Sequence, residues 1–242
     1  MTGANSGIGR AAAQALAQAG AHVVLAVRDV EKGRAAAAAM PGDTEVRRLD
    51  LASLDSIADF ASAWDDELHL LINNAGVMAT PFARTADGFE LQFGTNHLGH
   101  FALTNRLLGA VTGRVVTVSS TAHRLGRIDF DDLNWEHRPY RTWRAYGQSK
   151  LANLLFTAEL QRRLTAAGSP VLATAAHPGY AATADIPGNS FAGPSGFMEQ
   201  RGAPKLVGRT AAAQDMDAAR RLWDESERLT GVRFPLGAPT PA

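Results

Sequence analysis

Short β-branched and apolar runs alternate along this chain with longer alanine- and leucine-rich stretches, and that alternation restricts the fold more than any other feature. Residues 22–27, 68–73, 114–119 and 170–175 read as strands, and 44–49 as a weaker one. Residues 8–19, 31–40, 54–64, 89–108 and 146–167 read as helices. In the last of these, Leu151, Leu154, Leu155 and Ala158 recur at i, i+3, i+4 and i+7, one face of a helix. Strands that alternate with helices build βαβ units. Parallel strands are covered on both faces, so they read as unbroken apolar runs. The expected fold is α/β, a doubly wound parallel sheet with helices on both faces. A short strand at 189–192 and a last helix at 215–230, stopped by Gly231, complete the pattern.

Bulk properties narrow the function. At 242 residues the chain suits one α/β domain, expected to span 1–242. Lys plus Arg equals Asp plus Glu, 24 each, so charge gives no case for binding nucleic acid or an anionic membrane. Without cysteine, disulfides, thiolate catalysis and cysteine metal sites are excluded. No apolar run approaches a membrane span, and the N-terminus does not read as a signal peptide. The expected location is cytoplasmic, and the expected partner is a small molecule.

Two motifs carry chemistry. Residues 2–9 (Thr-Gly-Ala-Asn-Ser-Gly-Ile-Gly) place glycines in a G-x-x-x-G-x-G spacing at the start of the first helix. Glycines allow a tight turn and close backbone approach, and the free N–H groups of a helix start attract phosphate. The bland alternative is a glycine-rich turn before a helix. Such a loop should follow a strand, yet only Met1 precedes it, so the first strand is expected to be missing. The second motif is Tyr146 and Lys150, four apart and therefore on one helical face. An ammonium beside a phenol is expected to lower the tyrosine's pKa and make it useful in acid–base work.

Residues 2–9, Asn73-Asn74-Ala75-Gly76, Tyr146 with Lys150, and Pro178-Gly179 occur in the order found in the short-chain dehydrogenase/reductase family, which the chain resembles over nearly its whole length. It is most similar to the branch of retinol dehydrogenases and protochlorophyllide reductase-like enzymes. Residues 95–101, 127–133 and 146–153 carry that likeness. The resemblance implies a Rossmann-like dinucleotide-binding oxidoreductase that interconverts a carbonyl and an alcohol, as a homodimer or a monomer. Tyr146 would be the general acid–base. Lys150 would tune it and hold the nicotinamide ribose. Ser120, with Ser119 as its neighbouring candidate, would bond the substrate oxygen, and Asn96 would hold a proton-relay water. Gly3, Asn5, Ser6, Gly7, Ile8 and Gly9 would hold the pyrophosphate. Asp50 and Leu51 would meet the adenine. Asn74, Ala75 and Gly76 would line the adenosine ribose, and Pro178, Gly179 and Thr183 the nicotinamide. Each has a structural alternative: a strand-end hydroxyl for the serines, local bonding within a helix for Asn96, a cap for Asp50, a turn for 74–76.

Cofactor choice turns on Arg28. An acid at the end of the second strand would select NAD, whereas Val27 stands there and Arg28 follows. A guanidinium pairs well with a phosphate, which favours NADP(H) over NAD(H). Asp29 leaves open a plain Arg28–Asp29 salt bridge. His97 and His100 are three apart on a helix, without an evident third ligand, so no metal is expected. Trp135 and Trp143 flank the catalytic segment and would either rim a lipophilic pocket or pack a loop onto the core. After Thr183 the chain runs quickly into 189–194, so the substrate lobe is expected to be short. That shortening motivates one rival reading, a non-catalytic NADP(H)-binding sensor or scaffold. A non-functional truncated product is the other.

Overall fold

The computed structural model describes residues 1–176, 186–194 and 204–237. Among them the elements run α1 (Gly7–Gln18), β1 (Val23–Val27), α2 (Val30–Ala37), β2 (Thr44–Arg48), α3 (Leu54–Ser62), β3 (Leu68–Asn73), α4 (Leu91–Phe93), α5 (Gly99–Leu107), β4 (Val111–Val118), α6 (Thr142–Ala166), β5 (Leu172–Ala176), β6 (Phe191–Pro194), β7 (Pro204–Leu206) and α7 (Met216–Thr230). Local chemistry sets several boundaries. Asp29 caps α2 by accepting from the Lys32 amide at 3.1 Å, and Ser53 caps α3 through the Ser56 amide at 3.2 Å. Gly231, at φ 68°, closes α7 in the left-handed region.

The strands pair in parallel in the order β3-β4-β5-β6, with β1-β2 as a separate parallel pair. β7 departs from the all-parallel expectation by running antiparallel to β6 at the edge. Residues 195–203 are too few for the crossover of about a dozen residues that a parallel return needs. The aromatic core lies where α5, α6 and α7 meet. Phe156 and Trp223 stack at 5.7 Å and Phe101 meets Trp223 edge-on at 4.9 Å. Leu151, Leu154, Leu155 and Ala158 are all buried, as their spacing requires.

Between β1 and β3 lies the place of the expected first strand, and the chain fills only its last rung. The Met1 ammonium donates to the Val24 carbonyl at 2.8 Å. The Thr2 amide donates to Ile72 O at 3.0 Å, the Gly3 amide to Ala26 O at 2.9 Å, and Thr2 bridges Ala26 in parallel. Beyond that rung a cavity of about 690 Å³ separates the two sheet parts, with Leu16, Val24, Trp64, Leu68 and Ile72 on its walls. Burial there drives the Met1 ammonium's pKa down to about 5.

Candidate active site

β4 delivers the chain to Ser119 and Ser120, and the first turns of α6 bring Tyr146 and Lys150 beside them. The two hydroxyls do different things. Ser119 is buried and donates to the Lys150 carbonyl at 2.7 Å, tying β4 to α6. Ser120 caps the following turn through the Ala122 amide at 3.2 Å and also hydrogen-bonds Tyr146. Lys150 Nζ lies 5.7 Å from the centre of the Tyr146 ring and donates to Val118 O at 3.1 Å. Ser120, Tyr146 and Lys150 face one cavity of about 190 Å³.

The electrostatics correct one expectation. The Tyr146 pKa is raised rather than lowered: burial disfavours the phenolate more than the Ser120 hydrogen bond favours it. Lys150 suffers the same burial, which brings its pKa down to about 8. A sequence shows the proximity of the pair but not the solvent both have lost.

Asn96 sits in a π-helical turn, Gly94–Leu98, between α4 and α5. Its bonds are long-range, so local helical bonding does not describe it. The side chain accepts from the Val77 amide at 2.8 Å and donates to Val77 O at 2.9 Å and Ser149 Oγ at 3.0 Å. A Cβ on Gly76 would lie 3.0 Å from Asn96 Oδ1 and 3.6 Å from Lys150 Nζ, so the glycine keeps the two close.

A second crevice of about 510 Å³ adjoins the first and shares Ile8, Asn74, Gly76 and Val77 with it. Gly3, Asn5, Ser6, Gly9, Arg28, Asp50, Leu51 and Ala75 also line it. Its lining gathers most of the residues expected to hold a dinucleotide. Gly3 takes φ 64°, and a Cβ there would meet Ala75 Cα at 2.9 Å. A Cβ on Gly9 would strike Gly3 O at 2.3 Å, so side chains at either position would fill the cradle. Ser6 makes no side-chain cap to α1, which leaves that helix's first amides for a ligand. Gly7, at φ 52°, starts α1 but is not in the crevice wall. Asn74 Nδ2 donates to Thr2 O at 2.9 Å, binding the turn after β3 to the glycine loop. Asp50 accepts from the Ala52 amide at 3.0 Å, whereas the cap of α3 is Ser53.

Asp29 pairs with Lys32 at 3.0 Å rather than with Arg28. Lys32 also lines the crevice, a cation that the sequence reading missed. Its signal was its place three residues after a helix-capping aspartate. His97 bonds Ser226 at 2.9 Å and His100 bonds Thr2 at 2.9 Å, and the described residues hold no cluster of three potential metal ligands. Trp135 is buried with Arg138 stacked 3.7 Å over its ring. Trp143 is 55% exposed, its ring 6.2 Å from that of Tyr146. Pro178, Gly179 and Thr183 lie outside the described residues. Among the described residues no helix is long and apolar enough to cross a membrane.

The family profile described as short chain dehydrogenase matches residues 1–189. Human retinol dehydrogenase 13 is 44% identical over 283 positions, covering 97% of this chain and 85% of its own length. That alignment is longer than the 242 residues here, so the human protein carries residues inside the matched region that this chain lacks. Mouse retinol dehydrogenase 12 is 50% identical over 79% of this chain and 63% of its own. An uncharacterized Mycobacterium paratuberculosis protein of known crystal structure superposes with a TM-score of 0.92 at 55% identity, over 97% of this chain and 93% of that one. A metagenomic short-chain oxidoreductase in complex with NADP superposes at 0.57, with 28% identity over 74% and 80% of the two chains. The chain therefore belongs to the short-chain dehydrogenase family, in its retinol dehydrogenase branch, and is an oxidoreductase of alcohol–carbonyl pairs.

Proposed function

We propose that this protein is an NADP(H)-preferring reductase/dehydrogenase of lipophilic small molecules, with Tyr146, Ser120, Lys150 and Asn96 at its reacting centre. One observation carries the reading: Tyr146, bonded to Ser120 and backed by Lys150, lines a cavity that shares Ile8, Asn74, Gly76 and Val77 with the glycine-loop crevice. When bound, the nicotinamide cofactor supplies or accepts the hydride. The protein's residues do the rest. Tyr146 gives a proton to the carbonyl oxygen in reduction and takes it back in oxidation. Ser120 donates to the same oxygen and fixes its approach. Lys150, already shifted toward its neutral form, exchanges a proton with solvent near neutral pH and reloads the tyrosine. Asn96 holds Val77 and α6 together beneath them. The crevice-lining residues named above hold the dinucleotide, and Pro178, Gly179 and Thr183 complete the nicotinamide seat by family likeness.

Arg28 and Lys32 support NADP(H), because both reach the crevice at the end of β1 where a 2′-phosphate would lie. Ile8, Met78 and Trp143, each more than half exposed around the catalytic cavity, support a lipophilic substrate, as do the relatives named for retinol. Tyr146→Phe should abolish turnover of aldehydes and retinal-like substrates while leaving NADPH affinity within about twofold. Steady-state rates and NADPH fluorescence titration measure the two effects. Ordinary turnover by the phenylalanine variant would defeat the assignment.

A further inference from the structure

His100 is a buried group that no step above uses. It stands one turn beyond Asn96, at the start of α5, with 1% of its surface exposed. Its Nδ1 lies 3.0 Å from the Asn96 carbonyl and its Nε2 lies 2.9 Å from Thr2 Oγ1. Hydrogen-bond accounting fixes which atom donates. The Thr2 hydroxyl already accepts two main-chain amides, Asn74 at 3.0 Å, which it shares with the Ile72 carbonyl at 3.1 Å, and Ala75 at 2.9 Å. A hydroxyl has two lone pairs and one proton, so only the proton remains. Nε2 is a closer acceptor for it than the Ile72 carbonyl at 3.4 Å. The Asn96 carbonyl can only accept, so Nδ1 carries the ring hydrogen. The neutral Nδ1–H tautomer satisfies every atom; a proton on Nε2 would face an oxygen with no lone pair to spare.

We propose that His100 is a positioning residue: it holds the Thr2 hydroxyl proton, locks the turn at 74–76 against the glycine loop, and anchors that cradle to the carbonyl of Asn96. The inference rests on the function proposed above, since the cradle is taken to seat the dinucleotide. One chain of bonds then runs from the Asn74 and Ala75 amides through Thr2 and His100 to the π-turn. From there the Asn96 side chain reaches Ser149 on α6. Cofactor seat and catalytic helix share this buried link.

Four variants test it: His100→Phe, His100→Asn, Thr2→Val and Thr2→Ser. The first readout is amide hydrogen exchange at Asn74 and Ala75 in cofactor-free protein. The second is NADPH affinity by fluorescence, with kcat alongside. His100→Phe, His100→Asn and Thr2→Val should each speed exchange at those amides and weaken NADPH binding, both by about tenfold. Thr2→Ser, which keeps the hydroxyl, should stay near the unaltered protein. His100→Asn should retain the bond to the carbonyl four residues back, as Asn105 does with Phe101 O at 3.0 Å, and so keep a higher kcat than His100→Phe. Combining Thr2→Val with His100→Phe should cost no more than the larger single change. Unchanged exchange at Asn74 and Ala75 in both His100 variants would overturn the proposal. If His100→Phe fails to fold, His100→Asn and the Thr2 pair decide. Should the unaltered protein bind neither NADPH nor NADH, the functional reading fails on its own, and the amide rates still judge His100.

Discussion

Arg28 and Lys32 both line the glycine-loop crevice, just after β1 and in the first turn of α2. A phosphate there would meet a planar guanidinium able to bond two oxygens and a compact ammonium beside it. Lys32 is partly neutralised by Asp29, so Arg28 should matter more. Arg28→Ala is expected to weaken NADPH binding by roughly tenfold or more and to leave NADH within about twofold. Paired titrations with the two cofactors decide this, and an equal loss for both would remove Arg28 from the choice. At this scale the spacing of Tyr146 and Lys150 was legible because four residues make one helical turn whatever surrounds it. The direction of the Tyr146 pKa was not, because burial is set by β4, Ser120 and the cavity wall. Lys32 was not legible because its place on the crevice wall depends on how α2 lies against β1.

Elements were legible to within a few residues wherever apolar periodicity and a cap agreed, as in α3 behind Ser53 and α7 before Gly231. The stretch 89–108, read as one helix, is helical without a break from Leu91, where Glu90 caps the start through the Gln92 and Phe93 amides; what the sequence did not show is the π-turn inside it that holds Asn96. The position of β7 was equally hidden, since pairing direction depends on the length of the return. The open slot between β1 and β3 makes a prediction at this scale. Its walls are largely apolar, with His22, Asp66, Glu67 and His69 also on them, so an added strand of roughly β1's length would bury apolar side chains there. Extending the chain ahead of Met1 by about five β-branched residues should raise the melting temperature by on the order of 5 °C or more. It would also take the Met1 ammonium out of its buried position. An extended variant that melts no higher than the 242-residue chain would show that the slot does not accept a strand.

Among the described residues, buried bases contribute to the response to acid. His97 is held down to about 3, His100 to about 4 and the Met1 ammonium to about 5, all by burial first. In each case the unfolded chain binds a proton that the folded chain refuses. Stability therefore rises with pH, from the folded value up to about 6.5 for the histidines and about 8 for the terminus. Glu90 acts in the opposite sense, because burial raises its pKa and the folded state holds its proton longer. Between pH 5 and 6 the histidines and the terminus should give a slope of about two protons, and the melting temperature should climb through that window. His97→Phe should lower the slope by about one proton whatever it does to absolute stability; denaturant melts at several pH values read this directly, and an unchanged slope would refute it. The sequence by itself determined the α/β alternation, the glycine-rich loop before the first helix and the Tyr–Lys pair, because these follow from periodicity and spacing within a dozen residues. Only the tertiary structure decided that a π-turn holds Asn96 between α4 and α5, that Lys32 lines the same crevice as Arg28, and that burial moves both Tyr146 and Lys150 toward their neutral forms. Those outcomes depend on which distant surfaces meet and how much water they exclude, and neither quantity is written in local order.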